Sequence, residues 1–330
     1  MGARTTRIVA EDFLIPPEFR PYRLAERSTG QIGGVHLALR EVGGRTRLGA
    51  CYQQVPLRVF PPFHFEGEPA ALLYLLNPTV GLMDGDGHLV EIEAGPGTRT
   101  LVTGQGATRV HPALSGFSTQ QWRLRVAPGA CLIALPGPNI PFRGCRYYQR
   151  AEVDLEGDAQ LIWGDIWTPG RYARDELSEC YQFEQIVQEL VIRRSGKLVY
   201  RDRFRWEGPW DAPTTRWHLG EGPATASASL FVTGPVAGGD REIGPDSPFR
   251  KVVLPLAGGD TLIRWCGPTP ALIRDVVLTA LRCAAEWSGD PSAPPWFLAT
   301  NHLGANHWFS TGSMVDSPSG QAVDSASSIL

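Results

Sequence analysis

Lysine is nearly absent. A chain of 330 residues has it only at Lys197 and Lys251, so the 31 basic residues are almost all arginine. Arginine suits polar protein interfaces through its planar fork, and a GC-rich genome accounts for the same bias. The formal net charge is −3. That leaves no bulk basic field to recruit nucleic acid or an acidic membrane, so neither is expected as a partner. Long hydrophobic runs are missing too. The strongest, Ala70 to Leu76, is far below the roughly 20 residues that span a bilayer. Six cysteines occur, and none form a CxxC pair or a zinc-like spacing. The first residues contain no apolar core of signal-peptide length. Reduced, mostly buried thiols in the cytoplasm are therefore expected.

Common catalytic signatures are also lacking. There is no GxxxxGK[ST] run for nucleotide hydrolysis. There is no HExxH, and Ser115-Gly116-Phe117-Ser118 does not make a GxSxG elbow. Gly95-Pro96-Gly97 and Gly104-Gln105-Gly106 each hold two glycines, but neither extends to GxGxxG, and both read as hairpin turns. The expectation is a protein that is not an enzyme.

Glycine and proline, at 37 and 28 residues, are what the chain has in abundance. They punctuate runs of four to eight residues, the signature of short strands. His88 to Glu93 alternates apolar and polar, as does Gln120 to Val126. Further strands are expected at Thr98 to Thr103, Cys131 to Leu135 and Tyr147 to Val153. Val191 to Phe204 reads as a hairpin turning at Ser195-Gly196. The fold class is all-β dominated, with one or two helices. A C-terminal helix is expected near 269–287, where Leu272, Val276, Val277, Ala280, Leu281 and Ala284 share one face. A short turn or helix is expected within Pro213 to Thr225. Residues 1–30 read as a loosely held N-terminal arm, 31–298 as the β domain, and 299–330 as a disordered tail rich in Ser, Gly and Asn.

Four constellations carry polar chemistry. In the turn Asn77 to Asp86, Asp84 and Asp86 alternate across one residue, and paired carboxylates beside backbone carbonyls suit a divalent cation. An Asx turn accounts for the same spacing. Asp165 follows an apolar strand and leads to Gly170-Arg171, Asp175 and Glu176, a polar knot that a salt-bridged surface loop also explains. Small residues in Leu101 to His111 let a second backbone approach closely. His302 and His307 form a pair in the tail that can arise by chance.

Taken in order, these segments resemble the urease accessory protein family UreD (UreH in some organisms). Gly33-Val35-His36-Leu37 with Arg45-Thr46-Leu48 is similar to its opening hairpin. Pro56 to Phe60, Tyr74 to Pro78, Gly81-Leu82 and Gly85-Asp86 are similar to its second block, and Leu101 to His111 with Gln120-Gln121 to its third. Leu135-Pro136, Ile140-Pro141-Phe142 and Tyr148-Gln149 resemble the fourth. Trp163-Gly164-Asp165 through Gly170-Arg171 and Glu176 resemble the fifth. Leu262 to Trp265 and the helix after it also fit.

The resemblance implies a β-helix-like stack of many short strands. It implies a urease maturation factor that binds UreF, and through it the GTPase UreG, and docks on the urease apoprotein. Nickel is then expected to pass through an internal, water-filled tunnel. Asp86 and Glu176 are the acids expected on that path, with Asp84 and Asp165 as weaker candidates. Ni²⁺ would be transient, and no cofactor is expected to stay bound. A conduit must release its ion, which isolated carboxylates and water permit and thiolate cages do not. Two other readings stand beside this one: a carbohydrate-active β-helix enzyme using Asp165 and Glu176 as acid and base, and a purely structural adaptor.

Overall fold

The computed structural model describes residues 6–22, 24, 30–64, 68–172, 179–220, 225–236 and 247–287. Strands dominate. In chain order they are β1 (Ile32–Val42), β2 (Arg45–Gln54), β3 (Arg58–Val59), β4 (Phe63–His64), β5 (Ala71–Leu76), β6 (Gly87–Ala94), β7 (Arg99–Gly104), β8 (Thr108–Val110) and β9 (Ser118–Val126). After these come β10 (Cys131–Leu135), β11 (Pro138–Pro141), β12 (Arg146–Leu155), β13 (Gln160–Trp167), β14 (Gln185–Arg194) and β15 (Lys197–Glu207). The chain ends its described course with α1 (Ala212–Leu219), β16 (Thr225–Val232), β17 (Arg250–Pro255), β18 (Thr261–Pro268) and α2 (Thr269–Glu286).

From β6 onward the chain alternates between two sheets. Strands β1, β6, β9, β12 and β14 run parallel in a seven-stranded first sheet. Strands β5, β7, β10 and β13 run parallel in the second. A short third side comes from β8 and β11, which pair with each other. Each circuit thus stacks on the one before it, and the expected β-helix-like stack is what forms. Antiparallel hairpins finish the ends: β2 and β15 flank the first sheet, while β16, β18 and β17 extend the second.

The turns stack as well as the strands. Gly97, Gly129 and Gly157 all have positive φ and sit at the same corner of successive circuits. Their neighbours are joined by amide bonds, with Ala127 donating to Ala94, and Glu156 to Val126, at 2.9 and 3.0 Å. A side chain is strained in that conformation, so glycine recurs once per circuit. The glycine punctuation in the sequence is this corner, repeated.

Strand faces follow from the two-residue period. Val90, Ile92, Trp122, Leu124, Ala151, Val153, Leu190 and Ile192 of the first sheet meet Val102, Leu132, Ala134, Leu161, Trp163 and Phe231 of the second in one core. Trp122 packs edge-on against Trp163. The outer face of the second sheet is covered by α2, whose Leu272, Val276, Val277, Ala280 and Leu281 are buried there. The helix occupies the expected residues, and Lys251 fastens it. Its ammonium donates to Asp275 and Thr279 at 2.9 and 2.8 Å and lies over the Trp265 ring. The shorter helix α1 forms in the expected stretch, is capped by Asp211 and stops at Gly220, which has φ +85°. The 195–196 hairpin forms as expected, with both residues at positive φ.

The N-terminal arm differs from its expectation. Ile8, Phe13, Phe19 and Leu24 are buried against the outer face of the first sheet, and Phe19 stacks on Phe117. Gln54 and Gln121 clamp its backbone, each accepting from and donating to it, at Ile8 and at Leu14. Two short 3₁₀ turns, Ala10–Asp12 and Pro17–Phe19, interrupt the arm, and of the four anchors only Phe19 lies on one, so no helical or strand period announces them. The tail at 299–330, with His302 and His307, lies outside the described residues. Among the described residues no helix is long and apolar enough to cross a membrane.

Phe19→Ala should destabilise the protein by about 3 to 5 kcal/mol, as for other buried aromatics. Leu198→Ala, at a side chain 58% exposed, should change stability by less than about 0.5 kcal/mol. Urea denaturation of both variants tests whether the arm belongs to the core; equal, small effects would show that it does not.

Candidate functional site

The core between the sheets is not apolar throughout. One register step toward the start of the inner strands from Val90, Trp122, Ala151 and Leu190 lie His88, Gln120, Gln149 and Gln188. These four are partners across β6, β9, β12 and β14. They share the inward face, so the ladder sets them in a row along the axis of the stack. At about 4.8 Å per strand the row extends roughly 14 Å. All four are buried.

Asp165 of β13 faces this row from the second sheet, two residues beyond Trp163 on the same face. It is 2% exposed. Its Oδ1 accepts from the Gln149 amide at 2.7 Å, and its Oδ2 from the Trp163 indole at 2.6 Å and the Gln188 amide at 3.0 Å. Asn139 extends the network by donating to Gln149 at 2.9 Å. Burial pushes the Asp165 carboxyl up to about 7, against the pull of the Trp163, Gln149 and Gln188 donors. Such a group stands between its charged and neutral forms near neutrality, the state in which a small local field decides its charge.

A cavity lies toward each end of the row. One, of about 260 Å³, is lined by His88, Gln120 and Trp122, with the backbone segments 79–81 and 104–108 around it. The other, of about 370 Å³, is lined by Asp202, Ser229, Arg264, Trp167 and Trp206 among others. There Arg264 of the second sheet donates to Asp202 of the first at 2.6 Å and ties the two sheets together. Gln149, Asp165 and Gln188 line neither of these two cavities; they are buried, and both amides donate to the carboxylate across the middle of the row. Several interior polar atoms have no protein partner: His88 Nε2, Ser118 Oγ, Trp122 Nε1, the Tyr147 hydroxyl and Trp167 Nε1. Buried polar atoms seldom go unsatisfied, so this interior suits water or a polar guest.

In the turn Asn77 to Asp86 both carboxylates accept backbone amides. Asp86 is buried, and its Oδ1 and Oδ2 accept from the Gln31 and Met83 amides at 2.7 and 2.8 Å. Burial raises its carboxyl above the usual range, partly offset by those two amides. Asp84 accepts from the amides of Leu114, Ser115 and Gly116 at 3.0, 3.0 and 2.9 Å, fixing the loop before β9. Neither carboxylate lines the two cavities. Gly81 is held at φ +141°, and a Cβ there would lie 2.3 Å from the Arg109 carbonyl. The turn therefore packs backbone to backbone against the 101–111 segment and shapes the rim of the smaller cavity. The close approach expected of that segment is present.

Glu176 and Asp175 lie outside the described residues. Of the knot around them, Arg171 forms a two-point ion pair with Glu179 and lies over the Phe142 ring. Asp165 itself is buried on β13 and is not part of a surface loop. It lines neither of the two cavities and is 2% exposed, whereas the first member of a glycosidase pair would face an open cleft. All six cysteines are free. Burial raises the thiols of Cys131 and Cys266 to about 11 and that of Cys283 to about 12. Among the described residues no group of three or more His, Cys, Asp or Glu side chains is placed to hold a metal. What the sequence reading missed is the row itself. Its only signal is a polar residue two places before an inward apolar one, seen once the circuits are aligned.

The family model of the UreD urease accessory protein matches residues 31–297. The chain is 40% identical over 141 residues to urease accessory protein UreD 2 of Synechococcus sp. (strain JA-3-3Ab), a stretch of 43% of this chain and 49% of that protein. This chain thus spans about half the length of that relative. Longer matches are to the urease accessory proteins UreD of Magnetococcus marinus and Sorangium cellulosum. The first is 31% identical over 264 residues, or 77% of this chain and 89% of that protein. The second is 28% identical over 297 residues, or 85% and 90%. With most of its β domain matched in this way, the chain belongs to the UreD urease accessory protein family.

Proposed function

We propose that this protein is a non-catalytic urease maturation factor that helps pass Ni²⁺ to the urease active site. In this reading it works in the cytoplasm, docks on the urease apoprotein with UreF, and reaches the GTPase UreG through UreF. Nickel is its passing cargo, and it holds no resident cofactor. The observation that carries the reading is the enclosed polar row with Asp165 at its centre. A carboxylate among neutral amides offers a late first-row ion oxygen donors that exchange readily. The six cysteines are free and scattered, burial raises five of their thiols, and among the described residues they form no metal-holding cluster. An arriving cation favours the charged form of Asp165 and displaces its proton, so occupancy and proton release are coupled.

Passage requires the closed middle to open. The Gln149 and Gln188 amides must turn away from Asp165 for an ion to bind it, and they restore the network when the ion leaves. Asp86 and Asp84 act in this reading by holding the turn and loop at the smaller cavity. Glu176 stands as a second candidate acid of the path.

Asp165→Asn keeps the volume and removes the charge. Urease activation in cells carrying this variant should fall about tenfold, equivalent to ~1.4 kcal/mol on the limiting step. Pull-down of UreF and apo-urease should be unchanged. Activation at the wild-type rate would refute a conduit through Asp165 and leave the structural adaptor. Asp86→Ala should act through folding: losing a buried acceptor of two amides costs about 2 to 4 kcal/mol. Its activation defect should track the loss of folded protein seen on heating.

Asp165 also makes stability depend on pH. The unfolded chain releases this proton near the ordinary value of 3.8, whereas the folded state keeps it up to about 7. Its contribution is therefore full below 3.8 and is lost as pH rises toward 7. Urea midpoints compared at pH 5 and pH 8 should fall more for the wild type than for Asp165→Asn. Identical falls would show that Asp165 is ionised throughout.

A further inference from the structure

We infer that His88 and Gln120 form a binding station for a divalent first-row cation on the inner wall of the smaller cavity. Naming the ion as nickel rests on the function proposed above; the site itself rests on geometry. His88 is 1% exposed, lies on the inward face of β6 and lines the cavity. Its Nε2 has no hydrogen-bond partner, and neither has Nε1 of Trp122 in the same wall. A ring nitrogen enclosed this way without a partner is costly, and an apolar side chain would fill the position better. A ligand that uses the ring nitrogen resolves that cost.

The chemistry of the wall selects the ligand. Gln120 is the ladder partner of His88 and brings an amide oxygen to the same cavity. Residues 79–81 and 104–108 line the cavity as well, Thr79, Gln105 and Thr108 among them. Burial keeps the imidazole neutral, with a lone pair available. One imidazole with amide and water oxygens suits nickel, copper or zinc better than magnesium or calcium. No carboxylate or thiolate lines this cavity, so the ion is held weakly. Arg109 is exposed at the rim, where solvent screens its charge. Two strand spacings along the row, roughly 10 Å, bring the ion to Gln149 and the Asp165 carboxylate. Neutral donors followed by an ionisable one set a gradient of affinity directed inward.

Crystals of the full chain soaked in Ni²⁺ and measured at the nickel absorption edge locate the ion directly. An anomalous peak about 2.1 Å from a His88 ring nitrogen, absent in His88→Leu, is expected. In solution, Ni²⁺ binding should weaken about tenfold or more in the same variant. His88→Gln serves where the leucine variant folds poorly. Activation of urease by either variant should be slowed at limiting nickel and restored by excess, which a merely structural defect would not be. Nickel found at Asp165 with none at His88 overturns the station and leaves the path intact. Nickel found nowhere between the sheets overturns both.

Discussion

Register between stacked circuits is the constraint on which the rest of this structure depends. In a parallel ladder each residue lies beside its counterpart in the next circuit, and a slip of one place would exchange the faces of a whole strand. Two features hold the register here. The glycine corners at 97, 129 and 157 fix where each circuit turns, and the apolar inward residues from Val90 to Leu190 fix which face is buried. Once both are set, the position next to the apolar row is also set. Polar residues placed there line up without further instruction, so the row from His88 to Gln188 is a by-product of the repeat.

A polar row inside a core is normally a liability, because each unpaired group adds a desolvation penalty. The two buried aspartates show two ways of meeting it. Asp86 is clamped by backbone amides, which cannot leave without unfolding the turn. Asp165 is held by the side chains of Trp163, Gln149 and Gln188, and the two glutamine amides can rotate away or present their oxygens instead. One carboxylate is therefore a fixture, while the other has an adjustable shell. Sequence spacing could not separate them, since both follow apolar segments and both sit beside glycine. The difference lies in which donors the fold brings to each.

The same contrast explains how much of the molecule was legible. Strands bounded by Gly and Pro, the 195–196 hairpin and the amphipathic helix of 269–286 rest on local periodicity and turn chemistry, and those signals are strong. The arm was misread because its anchors at Ile8, Phe13, Phe19 and Leu24 bind a surface made by distant strands, so their spacing follows no local period. Of the candidate acids, Asp165 is buried between the sheets, whereas Asp84 and Asp86 turned out to hold backbone. The row was invisible for a related reason. Gln120, Gln149 and Gln188 are unremarkable singly and become a feature only when stacking brings them together.

The far end of the row bears on direction. Asp202 and Arg264 bridge the two sheets beside the larger cavity. A cation arriving from Asp165 would meet a carboxylate already neutralised by a guanidinium. Taking that carboxylate means displacing Arg264, and leaving it lets the pair close again. On the proposed reading the row then begins with neutral donors at His88, strengthens at an ionisable carboxylate in the middle, and ends where a resident cation competes. Each station binds only by replacing an interaction that re-forms on release. No step holds the ion deeply, which is the property that separates a conduit from a store.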